Sequence, residues 1–407
     1  MEKLKVLMFG WEYAPIITGG LGIVCRDLAE QLIQQNIAID FILPKLPANL
    51  PQNNINFINS SGFINSELYQ QFELNSQLIP YAGLNQYSTT VESNNDLQTL
   101  YGNNLLNEIR KYAYSALEIS RKSQFDVIHA HDWMTFPAAI NAKWFSGKPL
   151  VVHIHSTEYD RSGNHPYQEI VKYEQLGLDA ADVIIAVSER TKQQLIELYH
   201  QPAEKIKVIH NAIANSPQNK VISAAPVAQL KKEKIVLFLG RLVAQKGADY
   251  LLKAAKLVLR YLPDTRFVFV GKGEMLPSLI NLSIDLGISG NVSFVGFLEH
   301  DQIDQAYLQA DLFVMPSVSE PFGLTTLEAI RNGTPVLISK QSGVSEVIPN
   351  SLKVDFWDIE EMADKILAVL KHEALSSSLV ENSRNDLEQI TWKHQAEKVV
   401  EIYRQMM

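Results

Sequence analysis

Residues 5–43 have the sequence KVLMFGWEYAPIITGGLGIVCRDLAEQLIQQNIAIDFIL, and this stretch decides the fold class. Its first residues, Lys5 to Phe9, are almost continuously apolar, which is typical of a strand buried on both faces. After a glycine-rich turn, apolar residues recur at helical spacing from Leu21 to Leu32. A second apolar run, Ala38 to Leu43, follows the helix. This order predicts two parallel strands joined by a helical crossover.

The same alternation of apolar runs and helical stretches continues along most of the chain. In the first half it predicts further strands at 126–130, 150–155, 183–187 and 206–209. In the second half it predicts strands at 235–239, 266–270, 292–297, 312–315 and 335–338. Strands separated by helices of about 10–15 residues indicate parallel sheets with right-handed crossovers. The sequence therefore predicts an α/β protein with two doubly wound, Rossmann-like domains facing each other across a cleft.

The domain limits follow from changes in composition. Residues 215–234 contain few apolar residues and two prolines, so we interpret them as a linker between an N-terminal domain, 1–214, and a C-terminal domain, 235–388. The segment 389–407 is predicted to pack as an amphipathic helix back toward the N-terminal domain. Residues 44–100 are rich in Asn, Gln and Ser, and we interpret them as an insertion of short elements and loops whose role stays open.

Composition and charge exclude several classes of protein. Of the 407 residues, 46% are hydrophobic, which excludes a disordered or collagen-like chain. The net charge of −9 argues against a general nucleic-acid binder. The single cysteine, Cys25, excludes an intrachain disulfide and a multi-cysteine zinc site. Because no run of about 18 apolar residues occurs, we expect no integral membrane segment and a cytoplasmic location.

The loop after the first strand of the C-terminal domain carries two cations, Arg241 and Lys246. An arginine fork and a lysine point charge in one strand-to-helix loop can converge on a diphosphate, and ligands of open α/β sheets bind at that end of the strands. Two solvated surface cations are the alternative. Gly271 follows the next strand, where a plain turn and a ligand contact are equally compatible with the sequence.

Residues 317–328, SVSEPFGLTTLE, form the most informative motif. Pro321 and Gly323 shape a turn after a strand, and a helix begins near Leu324 with free backbone N–H groups that can hold an anion. Glu320 and Glu328 lie on either side of that helix start. Because carboxylates only accept hydrogen bonds, we expect them to bind hydroxyl groups of a sugar and a ribose. An ordinary helix-surface charge is the alternative for Glu328.

In the N-terminal domain, the turn Gly19-Gly20-Leu21-Gly22 can bring backbone N–H groups close to an anion, although a tight connection alone would also need these glycines. Two histidine pairs, His129 with His131 and His153 with His155, end neighbouring predicted strands. Alternate residues of a strand share one face, so a metal site is one interpretation. No cysteine or H-E-x-x-H ligand set accompanies them, which favours hydrogen bonding to a substrate or a place in the core.

Taken in this order, these motifs resemble those of retaining glycosyltransferases of the GT-B fold, above all glycosyltransferase family 4 and the glycogen and starch synthases. The shared features are Gly-Gly-Leu-Gly after the first strand, His-Ala-His-Asp-Trp at 129–133, Gly-Arg with Lys-Gly at 240–247, and the Glu-x7-Glu spacing at 320–328. The resemblance extends from about residue 5 to residue 403. It implies an acceptor-binding N-terminal domain and a C-terminal domain that binds a nucleotide sugar.

The resemblance also implies roles for individual residues. It assigns Arg241 and Lys246 to the donor diphosphate, Glu320 to the donor sugar and Glu328 to the ribose. His155 matches a histidine beside the donor sugar, and Asp132 matches the acidic residue of the His-Ala-His-Asp-Trp motif. The implied backbone contacts to the donor come from Gly19, Gly20, Gly271, Gly323, Leu324 and Thr325. We expect no metal ion and no cofactor other than the donor.

We therefore expect a retaining hexosyltransferase that moves a hexose, with glucose favoured, from a UDP- or ADP-linked donor to a saccharide or other hydroxyl acceptor such as an α-glucan. Ile17 replaces the lysine of the bacterial glycogen synthase motif Lys-x-Gly-Gly-Leu, which argues against an ADP-glucose glycogen synthase of that type. The alternatives are a nucleotide-sugar epimerase or a phosphorylase-like enzyme of the same architecture and a non-enzymatic binding protein. A dinucleotide-dependent oxidoreductase is disfavoured because neither opening turn has G-x-G-x-x-G.

Overall fold

The computed structural model describes residues 3–14, 20–46, 54–63, 105–163, 165–214, 233–298 and 300–407. The chain divides into two compact units, the first formed by Met1–Asn211 with Trp392–Met407 and the second by Ala212–Thr391. Most of the predicted linker, residues 215–232, and most of the predicted insertion at 44–100 lie outside the described residues. In the described parts of the chain, no helix combines the length and the apolar character that a bilayer crossing requires.

The described part of the first unit contains a parallel sheet with the order β3-β2-β1-β4-β5-β6-β7. Its strands are β1 (Lys5–Phe9), β2 (Ala38–Leu43), β3 (Asn56–Asn59), β4 (Val127–His131), β5 (Leu150–Ile154), β6 (Val183–Ala186) and β7 (Ile206–Val208). The helices that connect them are α1 (Gly20–Gln34), α2 (Leu105–Lys122), α3 (Phe136–Ser146), α4 (Glu158–Ser162), α5 (Gln168–Ala180) and α6 (Glu189–Tyr199).

The second unit repeats this plan with the sheet order β10-β9-β8-β11-β12-β13, again all parallel. Its strands are β8 (Ile235–Leu239), β9 (Arg266–Val270), β10 (Val292–Gly296), β11 (Leu312–Met315), β12 (Val336–Ser339) and β13 (Leu352–Val354). Its helices are α7 (Ala248–Leu259), α8 (Leu276–Asp285), α9 (His300–Gln309), α10 (Leu324–Arg331), α11 (Ile359–Lys371) and α12 (Glu373–Glu388). The prediction of two doubly wound α/β sheets is therefore confirmed.

Burial explains why the central strands were predictable. In β1 and β4 every residue except Lys5 is buried, because helices cover both faces of each sheet. Two edge strands, β3 and β13, were not predicted. β3 has the sequence NFIN and β13 has only three residues, so neither forms an apolar run that stands out from a loop.

The last helix, α13 (Trp392–Gln405), belongs to the first unit and packs against α1. Its apolar side chains are buried, and Val399 and Tyr403 are completely so. The hydroxyl of Tyr403 lies 2.5 Å from Nδ1 of His129 on β4. The end of the chain is thus tied to the centre of the first sheet.

Candidate active site

Both sheets have a topological switch point where strand order reverses, between β1 and β4 and between β8 and β11. In open α/β sheets, ligands bind outside the carboxyl ends of the strands at such a point. The loops that follow β8 and β11 contain Arg241, Lys246 and Glu320. The loop that follows β4 contains Asp132. The predicted site residues therefore lie where the topology favours binding.

In the second unit, Lys246 and Glu320 form an ion pair across the switch point, with Nζ 2.6 Å from Oε2. The hydroxyl of Ser317 donates to the same carboxylate oxygen at 3.1 Å. Only 21% of the lysine side chain and 10% of the glutamate side chain are exposed, which strengthens their attraction. The other oxygen, Oε1, has no hydrogen-bond partner in the described part of the chain. It can accept a bond from a ligand hydroxyl.

The backbone around Glu320 is held from neighbouring loops. Its N–H donates to the carbonyl of Gln341 at 3.0 Å, and its own carbonyl accepts from the N–H of Gly343 at 2.9 Å. The side chain of Gln245 donates to the carbonyl of Ser319 at 3.0 Å. Because contacts from the loops after β8 and β12 fix this segment, the carboxylate is oriented before any ligand arrives.

Glycines let the loops of this site approach one another. Gly247 has φ +68°, and a Cβ there would lie 2.1 Å from the carbonyl oxygen of Pro316. Gly271 has φ +141°, and a Cβ there would lie 1.9 Å from the carbonyl oxygen of Gly240. The loops after β8, β9 and β11 therefore pack backbone against backbone, which a side chain at either position would prevent.

Helix α10 begins directly after Gly323, which has φ +115° and supplies no capping side chain. Leu324 and Thr325, the first two helical residues, are half-buried. The first N–H groups of a helix have no acceptor within the helix, and the helix dipole adds partial positive charge there. An anion such as a phosphate is the natural acceptor at this position.

Glu328 lies on the first turns of α10 and is half-buried. Its Oε2 accepts a hydrogen bond from the hydroxyl of Tyr307 at 3.1 Å. Burial raises the pKa of Glu328 above its ordinary value, and the tyrosine bond opposes that rise. Sequence reasoning missed Tyr307, because a single tyrosine on α9 gives no local signal of its partner.

Arg241 is half-buried in the loop after β8. Its positive charge interacts with a second carboxylate, that of Glu274. Partial burial raises the pKa of Glu274, while the guanidinium of Arg241 lowers it. Gly271 lies between these elements, in the loop after β9. The second unit thus places two cations, Arg241 and Lys246, in one loop, as the sequence predicted from their spacing.

In the first unit, Gly19 lies outside the described residues and Gly20 is the first residue of α1. Asp132 follows β4 with the unusual value of φ +60° and is completely buried. Its Oδ1 accepts the N–H of His155 at 2.7 Å, and its own N–H donates to the carbonyl of His153 at 3.0 Å. Asp132 therefore joins the ends of β4 and β5.

His155 is half-buried at the end of β5, and its Nε2 lies 3.0 Å from Nδ1 of His131. Its ring stacks on that of His153 with centroids 4.2 Å apart. Burial and the neighbouring His129 lower the pKa of His155 to about 3. His155 is consequently a neutral imidazole near pH 7, so it can share a hydrogen bond with a ligand but supplies no positive charge. The contact with His131 was not predicted.

Comparison with protein families agrees with this geometry. The family model described as "Starch synthase catalytic domain" matches residues 5–206, and the model "Glycosyl transferases group 1" matches residues 223–386. An uncharacterised glycosyltransferase of Methanocaldococcus jannaschii is 31% identical over 417 residues, which cover 98% of each chain.

Solved structures with the same fold cover the whole chain. The sucrose-phosphate synthase of Thermosynechococcus elongatus superposes with a TM-score of 0.76 at 21% identity, covering 99% of each chain. The Anabaena protein HepE in complex with UDP and glucose superposes with a TM-score of 0.71 at 20% identity, covering 99% of this chain and 100% of that one. At these identities the similarity establishes the fold.

Proposed function

The chain belongs to the GT-B glycosyltransferases of the glycogen and starch synthase-like group, and on that premise we propose that it is a retaining hexosyltransferase using a UDP- or ADP-linked donor. We infer that the hexose is glucose and that the acceptor is a saccharide or another hydroxyl compound. The second unit is proposed to bind the donor, and the first unit the acceptor. A solved neighbour that holds UDP and glucose supports the choice of UDP-glucose as the first donor to test.

The observation that carries the proposal is the partly buried ion pair of Lys246 and Glu320 at the switch point of the second sheet. A diphosphate beside Lys246 would compete with the carboxylate for the ammonium group. Glu320 would then accept hydroxyl bonds from the donor sugar, for which its Oε1 is already available. One pair of residues thus offers a cation to the leaving group and an acceptor to the sugar.

The reaction develops positive charge on the anomeric carbon and negative charge on the departing diphosphate. Lys246, Arg241 and the start of α10 at Gly323, Leu324 and Thr325 would stabilise that negative charge. Because these groups are fixed before the donor binds, little reorganisation is needed when the bond breaks. We propose that this charge compensation makes a metal ion unnecessary for the transfer step.

Glu328 and the first unit have different proposed roles. Glu328 would accept the ribose hydroxyls, and Gly271 and Gly20 would let backbone approach the donor. Neutral His155, whose backbone N–H is held by Asp132, would hydrogen-bond the transferred sugar. No described side chain is an obvious covalent nucleophile, which favours attack on the same face of the sugar assisted by the leaving phosphate. Retention is checked by determining the anomeric configuration of the product by NMR.

The test is thermal unfolding of the full chain with UDP, ADP, GDP, their glucose conjugates and NAD. A ligand at about one hundred times its dissociation constant adds about 2.7 kcal/mol to the free energy of unfolding. We expect UDP or ADP and the matching sugar conjugate to raise the melting temperature of the wild type, with a much smaller rise in Lys246→Ala. Lys340→Ala is the matched control, because Lys340 is an exposed lysine paired with Asp355 in the same unit.

Stabilisation by NAD alone would overturn the proposal. If none of these ligands raises the melting temperature of a folded chain, the proposed class of donor is wrong. If the wild type and Lys246→Ala bind a donor equally well, that donor is identified, but the assignment of Lys246 to the site is wrong.

A further inference from the structure

The contact between His131 and His155 differs in geometry from the ring stacking among the neighbouring histidines. Nδ1 of His131, on β4, lies 3.0 Å from Nε2 of His155, which follows β5, and the ring centres are 5.2 Å apart. The separation of the centres exceeds that of the nitrogens by about two ring radii, so these rings meet edge to edge. His153 instead stacks on His155 with centroids 4.2 Å apart. Only the edge-to-edge contact can form a hydrogen bond in the plane of the rings.

Each of these two rings has one further nitrogen. Nε2 of His131 and Nδ1 of His155 are both buried without a hydrogen-bond partner in the described part of the chain. Burial lowers the pKa of both histidines well below the ordinary value of 6.5. Both rings are consequently neutral near pH 7, and each carries one proton on one of its two nitrogens.

Two proton arrangements satisfy the bond, and they differ in where an unmatched N–H lies. If Nε2 of His155 donates, the proton of His131 sits on its Nε2, within a side chain that is fully buried. If Nδ1 of His131 donates, the unmatched N–H is Nδ1 of His155, a half-buried residue at the carboxyl end of β5. A buried N–H without an acceptor is rare in folded proteins. The second arrangement is favoured, because ligands of open α/β sheets bind at that end of the strands and can accept the N–H.

The residues that follow His131 hold the backbone of the same histidine. Oδ1 of Asp132 accepts the N–H of His155 at 2.7 Å. The hydroxyl of Thr135 fixes the end of β4 in turn, at 3.0 Å from the carbonyl oxygen of His131 and 2.9 Å from that of Asp132. The end of β4 therefore holds His155 at two points, its backbone and its ring. A ring held in this way is oriented before a ligand arrives.

We propose that His131 is a positioning residue of the sugar transfer. Its Nδ1–H donates to Nε2 of His155, which fixes the tautomer of His155 and leaves Nδ1–H of that ring to donate to an oxygen atom of the transferred sugar. The inference rests on the proposed function, because it takes from it the contact between His155 and the sugar. In this role His131 does not touch the sugar and acts only through His155.

The first measurement is ¹⁵N NMR of the histidine ring nitrogens in the unliganded full chain, with the signals of His155 identified by their loss in His155→Gln. We expect His155 to carry its proton on Nδ1 in the wild type and to show a mixture of both tautomers in His131→Leu. His129→Leu is the matched control, because it removes another buried imidazole of β4 whose Nδ1 contacts Tyr403. In that variant the tautomer of His155 should stay as in the wild type.

The second measurement is the transfer rate with the donor that the ligand panel identifies. His131→Leu should lower kcat about tenfold, the effect of one lost hydrogen bond, while its affinity for the nucleoside diphosphate stays unchanged. His131→Asn should recover most of that loss, because its amide N–H can donate in place of Nδ1–H. His129→Leu should keep the kcat of the wild type even where its melting temperature is lower, which separates positioning from a general loss of stability.

A proton on Nε2 of His155 in the wild type would overturn the proposal, and this test stands even where His131→Leu fails to fold. Equal losses of kcat in His131→Leu and His129→Leu would also overturn it, since His131 would then be a structural residue only. The tautomer is measured without any nucleotide, so it is independent of the proposed function. If His155 carries its proton on Nδ1 but the chain binds no nucleotide sugar, the positioning role fails together with the proposed function, whereas the hydrogen bond stands.

Discussion

The two sheets have the same strand order up to their sixth strand, yet their switch points carry opposite kinds of chemistry. In the second unit the loops hold an ammonium–carboxylate pair, a guanidinium and glycines at positive φ. In the first unit stacked neutral imidazoles lie at the ends of β4 and β5, and the loop after β4 holds one buried aspartate, Asp132, at positive φ. The same backbone plan therefore presents two cations at one site, and neutral imidazoles beside a single buried aspartate at the other.

This difference separates the effect of strand topology on a binding site from the effect of its residue types. Strand order determines where the loops converge, and it does so equally in both units. The residues in the loops determine what can bind there. A diphosphate needs fixed positive charge, which the second unit supplies. Neutral rings at the first switch point cannot hold a phosphate by charge but can form hydrogen bonds with hydroxyl groups.

The largest expected effect comes from removing charge at the second switch point. Lys246→Ala should lower kcat by about 10²- to 10³-fold, because the departing diphosphate loses a fixed cation. Folding should change little, since the lysine is partly exposed and the backbone of its loop is held by other bonds. Steady-state transfer rates, with circular dichroism as a fold check, measure both. Unchanged turnover in a folded variant would end the assignment of Lys246, and Lys340→Ala should keep full activity.

The next largest effect concerns the close approach of the loops. Gly247→Ala should lower the free energy of unfolding by about 3 kcal/mol, because a side chain at φ +68° is strained and its Cβ would overlap the Pro316 carbonyl. Gly290→Ala is the control, because nothing lies within 4 Å of a Cβ there. Urea denaturation of both variants checks the prediction. Equal stability of the two would mean that the loops have room to separate.

The sequence predicted the centre of each sheet better than its edges. β1, β2, β8, β9 and β11 begin and end at the predicted residues, because strands buried on both faces are continuous apolar runs. β3 and β13 lie at the edges, where a short strand leaves too weak a pattern. The fold class was therefore predictable from periodicity alone.

The site was less predictable, since its contacts join distant residues. Lys246 and Glu320 are 74 positions apart, and only the family resemblance linked their roles. Tyr307 beside Glu328 gave no signal, because a helix position does not reveal which neighbour its side chain meets. For the histidines, alternation along a strand predicted a shared face. Their mutual stacking and loss of charge depend on the parallel register of β4 and β5, which no single stretch of sequence contains.

A smaller effect tests the first switch point. Asp132→Ala should lower the free energy of unfolding by about 2 kcal/mol, because the N–H of His155 loses a charged acceptor and alanine tolerates φ +60° poorly. Asp132→Asn should lose about 1 kcal/mol or less, since asparagine retains an acceptor oxygen and accepts a left-handed backbone. Thermal unfolding of the pair checks this. Equal losses in both variants would show that the negative charge of Asp132 is essential to the fold.

The smallest effect is a pH dependence at Glu328. Burial raises its pKa in the folded state above 4.5, so the folded chain holds a proton that the unfolded chain has released. Relative to Glu328→Gln, the wild type should therefore lose stability as pH rises from about 4.5 to the folded pKa, by at most about 1.4 kcal/mol per pH unit, and then stay level. Urea denaturation of both proteins from pH 4 to 8 measures the difference. A difference that grows in the opposite direction would mean that the folded state favours the ionised carboxylate.

Hydroxyl groups of a bound ribose would favour the ionised form of Glu328, so saturating UDP should shift the pH range in which stability is lost to lower pH. Such a shift would connect the half-buried carboxylate of Glu328 to the donor.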